Sequence, residues 1–75
     1  MKTEITEYLS KNGWEMGEHQ MSYVLSKNKE IEIFFCSSNL TELYVHERYR
    51  GDTYLDSIET LKKLLDEIDL KYLKS

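Results

Sequence analysis

The sequence predicts an α+β fold: a two-layer sandwich in α-β-β-β-α order, with both helices on one face of a three-stranded antiparallel meander, residues 1–75 forming a single domain. Two observations predict the elements and a third their arrangement. Apolar residues recur every three to four positions at both ends of the chain, and every second position from Gln20 to Arg50. The alternating runs are joined by short connections, which makes consecutive strands antiparallel neighbours.

Residues 3–12 read as the first helix. Ile5, Tyr8 and Leu9 fall at i, i+3 and i+4, Thr3 stands at the N-cap position, and Asn12-Gly13 supplies a left-handed stop. Glu4 and Glu7 lie near the positive end of the helix dipole. Trp14 follows directly and is expected to pack the helix end onto the layer beneath.

The strands come next. Met21, Tyr23 and Leu25 alternate in the first, Ile31, Ile33 and Phe35 in the second, Leu43 and Val45 in the third. Lys27-Asn28-Lys29 and Ser37-Ser38-Asn39 supply the turns, and Gly17 marks a bulge or loop before the first strand. Gly51-Asp52 is read as the end of the third strand. Leu55, Ile58, Leu61, Leu65, Ile68 and Tyr72 then draw one apolar stripe along a longer helix, with Asp52, Thr53 or Asp56 as its N-cap. Its other face carries i, i+4 ion pairs such as Glu59 with Lys63. Residues 70–75 are read either as its continuation or as a cover for the sheet.

Composition is globular: 40% apolar, 12% aromatic and 32% charged, with formal charge −4. A chain this short buries only about 60% of its unfolded surface, which leaves no room for an internal cofactor layer. The absence of an apolar run long enough to span a bilayer, and Glu4 and Glu7 where a leader would be basic and apolar, point to a cytoplasmic protein without a membrane partner. Cys36 is the single cysteine, so no internal disulfide is expected. Alanine and proline are absent and lysine exceeds arginine eight to two, a bias that suggests an AT-rich genome.

No chemistry-bearing motif stands out, and no catalytic residue, metal ligand set or cofactor is expected. His19, His46 and Cys36 lack metal-ligand spacing. A Cys36–His46 nucleophile pair has no glycine-rich turn or helix N-terminus to activate it, and Glu32, Glu42 and Glu47 read as solvated strand positions.

The order α-β-β-β-α resembles that of the double-stranded-RNA-binding domain in topology alone. That resemblance implies a basic cluster at the start of the second helix; here the stretch is Asp52-Thr53-Tyr54-Leu55-Asp56, which repels phosphate. Nucleic acid is therefore a weaker alternative, carried only by Arg48 and Arg50 beside Tyr49 and His46.

The outer sheet face is the main candidate site. If the apolar alternation faces the helices, Val24, Glu32, Phe34, Tyr44, His46 and Arg48 face outward, where aromatics and arginine mark contact surfaces. Tyr49, Arg50 and Tyr54 add a corner near the start of the second helix, so Phe34, Tyr44, His46, Arg48, Tyr49, Arg50 and Tyr54 are the expected partner-binding residues. The expected function is that of a small acidic protein-binding module. Its size, acidity and composition are similar in character to phage or mobile-element proteins that inhibit a host defence or regulatory protein. A homodimer joined through the same patch or through strand edges is the other alternative.

Overall fold

A computed structural model describes residues 2–26, 29–37 and 39–73. Helix α1 (Lys2–Lys11) is followed by five strands: β1 (Glu15–Met16), β2 (Gln20–Ser26), β3 (Lys29–Phe35), β4 (Leu40–Val45) and β5 (Arg48–Tyr54). Helix α2 (Ile58–Ile68) runs into a π-helical turn over Asp69–Leu73. The sheet is an antiparallel meander in chain order, β1-β2-β3-β4-β5. The α+β class, the two flanking helices and the meander agree with the sequence; the number of strands does not, being five rather than three.

Two strands are added: the two-residue β1 pairs with β2 ahead of the expected meander, and β5 arises at one turn. Alternation counted straight through Arg50 makes a single strand of residues 43–50, but the chain reverses at His46-Glu47, and β5 runs back along β4 with Val45 opposite Arg48 and Tyr44 opposite Tyr49. His46 and Glu47 both adopt positive φ, 53° and 68°, the backbone of a two-residue type I′ loop. Such loops usually carry Asn-Gly or Asp-Gly, so His-Glu hid the hairpin. Gly51-Asp52, read as the end of a strand, lies within β5. There Arg50 is the extra residue of a bulge between the Leu43–Gly51 and Tyr44–Tyr49 pairs, and Gly51 takes a φ of 128° that side chains rarely adopt.

The ends of the helices follow from local chemistry. Trp14 N–H donates to the Leu9 carbonyl (3.0 Å) and Gly13 N–H to that of Ser10 (3.3 Å), a Schellman closure with Gly13 left-handed at φ 91°. Thr3 lies inside α1 rather than at its cap. At α2 the N-cap is Ser57, not Asp52, Thr53 or Asp56: its hydroxyl accepts from Thr60 N–H and the Thr60 side chain returns the bond to Ser57 N–H, each at 3.2 Å. Thr60 plays the part usually given to Glu or Gln in a capping box. Thr53 belongs to β5, and Asp52 faces away from the helix.

One core lies between the sheet and the helices. Ile5 and Leu9 of α1 and Leu61, Leu64 and Ile68 of α2 meet Met21, Ile31, Ile33 and Val45 of the sheet, closed by Trp14 and Leu55. Tyr23, Leu25, Phe35 and Leu43 pack partly buried around it, which places every strand residue expected inward on the helix side. The α2 stripe shifts slightly: Leu64 is buried and Leu65 only half-buried, while Leu55 precedes the helix. Three buried side chains at roughly 1.5–3 kcal/mol each outweigh a cap worth about 1 kcal/mol, so packing holds α2 in place and the cap sets its starting point.

Buried polar groups on the core side are paired within short reach. Thr41 Oγ1 donates to the Thr53 carbonyl at 2.7 Å, and Thr6 Oγ1 to that of Thr3 at 3.0 Å. Of the segment read as a cover for the sheet, Tyr72 packs on the helix side, and Trp14 lies in the core with its ring 5.6 Å from that of Tyr23. Lys27, Asn28 and Ser38 of the expected turns, and Lys74 and Ser75 of the expected C-terminal cover, lie outside the described residues.

Candidate functional site

Strand register assigns the outer face residue by residue, because directly opposed residues share a side of the sheet. One row across the sheet reads Glu15, Ser22, Glu32, Tyr44 and Tyr49; the next reads Gln20, Phe34, Glu42 and Asp52; Val24 opposes Glu30, and Leu40 opposes Tyr54. Three aromatic rings meet at the centre. Phe34 lies edge-on to Tyr44 with centroids 5.1 Å apart, and Tyr44 edge-on to Tyr49 at 5.7 Å. Phe34 and Tyr44 are half-buried by these contacts, whereas Tyr49, on the edge strand, is 53% exposed. Val24 and Tyr54 are exposed at the margins.

Carboxylates surround the rings. Glu15, Glu30, Glu32, Glu42 and Asp52 all project from this face, and no lysine or arginine does among the described residues. Among the described residues this face therefore carries five negative charges and no positive one, in a chain whose formal net charge is −4. Glu42 stands directly opposite Asp52, a like-charge pair that destabilises a sheet.

Hydrogen bonds fix several of these groups. The Tyr49 hydroxyl donates to Asp52 Oδ1 at 2.6 Å and the Tyr44 hydroxyl to Glu42 Oε1 at 3.3 Å, while Gln20 Nε2 donates to Glu32 Oε2 at 2.8 Å. The concentrated charge acts on every group here with a resolved shift. The bond to Asp52, aided by partial desolvation, pushes the Tyr49 phenol up to about 12. Burial and the charge of Glu42 raise Tyr44. Burial and the neighbouring Glu30 raise Glu32 against the opposing hydrogen bond from Gln20. Each shift favours the less negative form.

The expected contact residues therefore divide. Phe34, Tyr44 and Tyr49 form one cluster, and Tyr54 lies on the same face beyond Asp52. His46 is not an outward strand residue but the first residue of the hairpin loop. Arg48 opposes Val45 and so lies on the helix side, because the reversal at His46 inverts the parity counted along a continuous strand. Arg50 also leaves the patch: the bulge turns its guanidinium over the Tyr72 ring, 5.9 Å from the centroid. Glu42 reads from the sequence only as a solvated strand position and Asp52 as a strand end or helix start; the register and the bulge bring both against the tyrosines.

Cys36 and His46 are not neighbours. Cys36 follows the end of β3 and bonds Leu40 at the start of β4, whereas His46 follows the end of β4, about 20 Å away along the strand. Cys36 is exposed, and its thiol is raised by desolvation and by Glu42, the opposite of an activated nucleophile. No group of three or more metal-ligating side chains comes together among the described residues, and no helix there is long and apolar enough to cross a membrane. The chain matches no protein-family model, no curated protein and no solved structure with which it was compared.

Proposed function

We propose that this protein is a small non-enzymatic binding module that docks a basic protein surface onto the outer face of its sheet. The observation that carries this proposal is the composition of that face: an aromatic cluster, half-buried at Phe34 and Tyr44 and open at Tyr49, within five carboxylates and no described base. Aromatic residues give contact area at low entropic cost, and like charge on one surface steers an oppositely charged partner into place. The backbone supports the same assignment, since His46 and Glu47 hold left-handed conformations beside the patch where Asn-Gly would be relaxed, and local strain concentrates at functional positions. A basic host protein, such as a nuclease or regulator that binds nucleic acid, is the kind of target an acidic inhibitor from a phage or mobile element would occupy.

Three clefts among the described residues, of about 170, 160 and 200 Å³, are each smaller than the roughly 300–1,000 Å³ of small-molecule sites. The same charge pattern weighs against the alternatives. Two copies brought together through this face would oppose carboxylate to carboxylate, and phosphate would be repelled by it. The open edge of β5 offers a route to homodimers, but its bulge and its Arg48, Arg50 and Asp52 side chains blunt edge pairing.

The test is affinity capture from the native host lysate by the wild type, by a Phe34→Ser/Tyr44→Ser/Asp52→Lys variant and by Arg48→Glu, each first shown to be folded. A basic protein retained by the wild type and by Arg48→Glu but lost by the triple variant is the expected result. Equal retention by the triple variant, or sedimentation as a dimer with no other partner, overturns the proposal.

A further inference from the structure

We infer that the outer face selects arginine over lysine, its partner being an arginine-rich segment whose guanidinium group seats against Tyr49 and between Glu42 and Asp52; this rests on the docking role proposed above. Charge complementarity identifies the occupant as cationic, and the disposition of the rings narrows it further.

Tyr49 has 53% of its surface open, next to a carboxylate pair formed across two strands, Glu42 opposite Asp52. Each carboxylate accepts a bond from one tyrosine hydroxyl, through Glu42 Oε1 and Asp52 Oδ1, which orients the pair beside the rings. A guanidinium is planar, stacks on aromatic faces and presents several N–H donors in a rigid fork, so it can use a ring and two carboxylates at once. An ammonium is a compact, strongly hydrated point charge that is attracted to a ring or a carboxylate but cannot stack flat on the one while forking between the others. The edge-on packing of Tyr44 against Tyr49 braces the ring that a guanidinium would meet.

The test compares two fluorescein-labelled peptides, alternating glycine–arginine and alternating glycine–lysine, of equal length and charge, by fluorescence anisotropy at low salt. The arginine peptide is expected to bind about tenfold more tightly, the margin that stacking and bidentate bonding supply. Tyr49→Thr, a substitution suited to an exposed strand position, should abolish that margin by weakening arginine binding far more than lysine binding. Glu42→Gln/Asp52→Asn should weaken both peptides. Equal affinity of the two peptides for the wild type, or a margin that survives Tyr49→Thr, overturns arginine selection while leaving electrostatic docking intact. Failure of both peptides to bind, or binding indifferent to Glu42→Gln/Asp52→Asn, overturns the docking role and the selection together.

Discussion

Tyr49 and Asp52 lie on either side of the β5 bulge, and the hydroxyl of the first donates to the carboxylate of the second at 2.6 Å. In a regular strand, residues three apart face opposite sides of the sheet. The extra residue, Arg50, restores them to the same side, so the bulge is what assembles the tyrosine–carboxylate pair.

The pair has a titration signature. Tyr49 is held protonated up to about 12 chiefly by its bond to Asp52. Because the folded value exceeds the unfolded value of about 10, the stability this group contributes is fully present below pH 10 and is lost as pH rises toward 12. Asp52→Asn should return Tyr49 toward an ordinary phenol, observable as an earlier tyrosinate transition by NMR, and should flatten the decline in stability above pH 10.

Glu32 offers a second test, on the acid side. Its carboxyl is raised by burial and by Glu30, so the protonated form suits the folded state and stability falls as pH rises through the raised value. Glu32→Gln should therefore increase Tm at pH 7, and the advantage should vanish once pH drops below the usual carboxylate range. The neutral amide keeps an oxygen for Gln20 Nε2, so the hydrogen bond survives the exchange.

The His46-Glu47 loop should be easy to stabilise. Each left-handed residue without a suitable side chain costs about 1–2 kcal/mol, and Asn-Gly removes most of that strain in a type I′ loop. His46→Asn/Glu47→Gly is expected to add about 1 kcal/mol in urea unfolding, equivalent to a Tm rise of about 4–8 °C for a domain of this size. If the loop contributes to docking, partner affinity should fall as stability rises.

The start of α2 can be assigned by contrast. Ser57→Ala removes the hydroxyl that accepts from Thr60 N–H and should cost about 1 kcal/mol, whereas Asp56→Ala, one residue earlier and exposed, should change stability by less than about 0.5 kcal/mol. Thermal unfolding of the two variants separates Ser57 from the acidic residue that the sequence suggested as cap.

Legibility in the sequence followed the range of the interactions. Phe34 and Tyr44 were placed on the outer face correctly, because side-chain parity within a strand depends only on counting residues from Ile33 and Val45. The outward reading of Arg48 fails because that count is carried through the reversal at His46, and Arg50 leaves the expected corner because the bulge turns it over Tyr72. Asp52 was missed for the same reason: read locally, Gly51-Asp52 resembles the end of a strand and the start of a helix.

By itself the sequence determined the α+β class, the two amphipathic helices and the core face of the central strands, because apolar periodicity records which side of an element is buried. Only the tertiary structure decided that the chain turns back at His46, creating the hairpin that brings Tyr49 and Asp52 beside Tyr44 and Glu42. Local preference opposes two left-handed residues there. The β4–β5 ladder, with the burial of Val45 and the Thr41–Thr53 bond, offsets that cost through contacts between segments that a short sequence window does not contain.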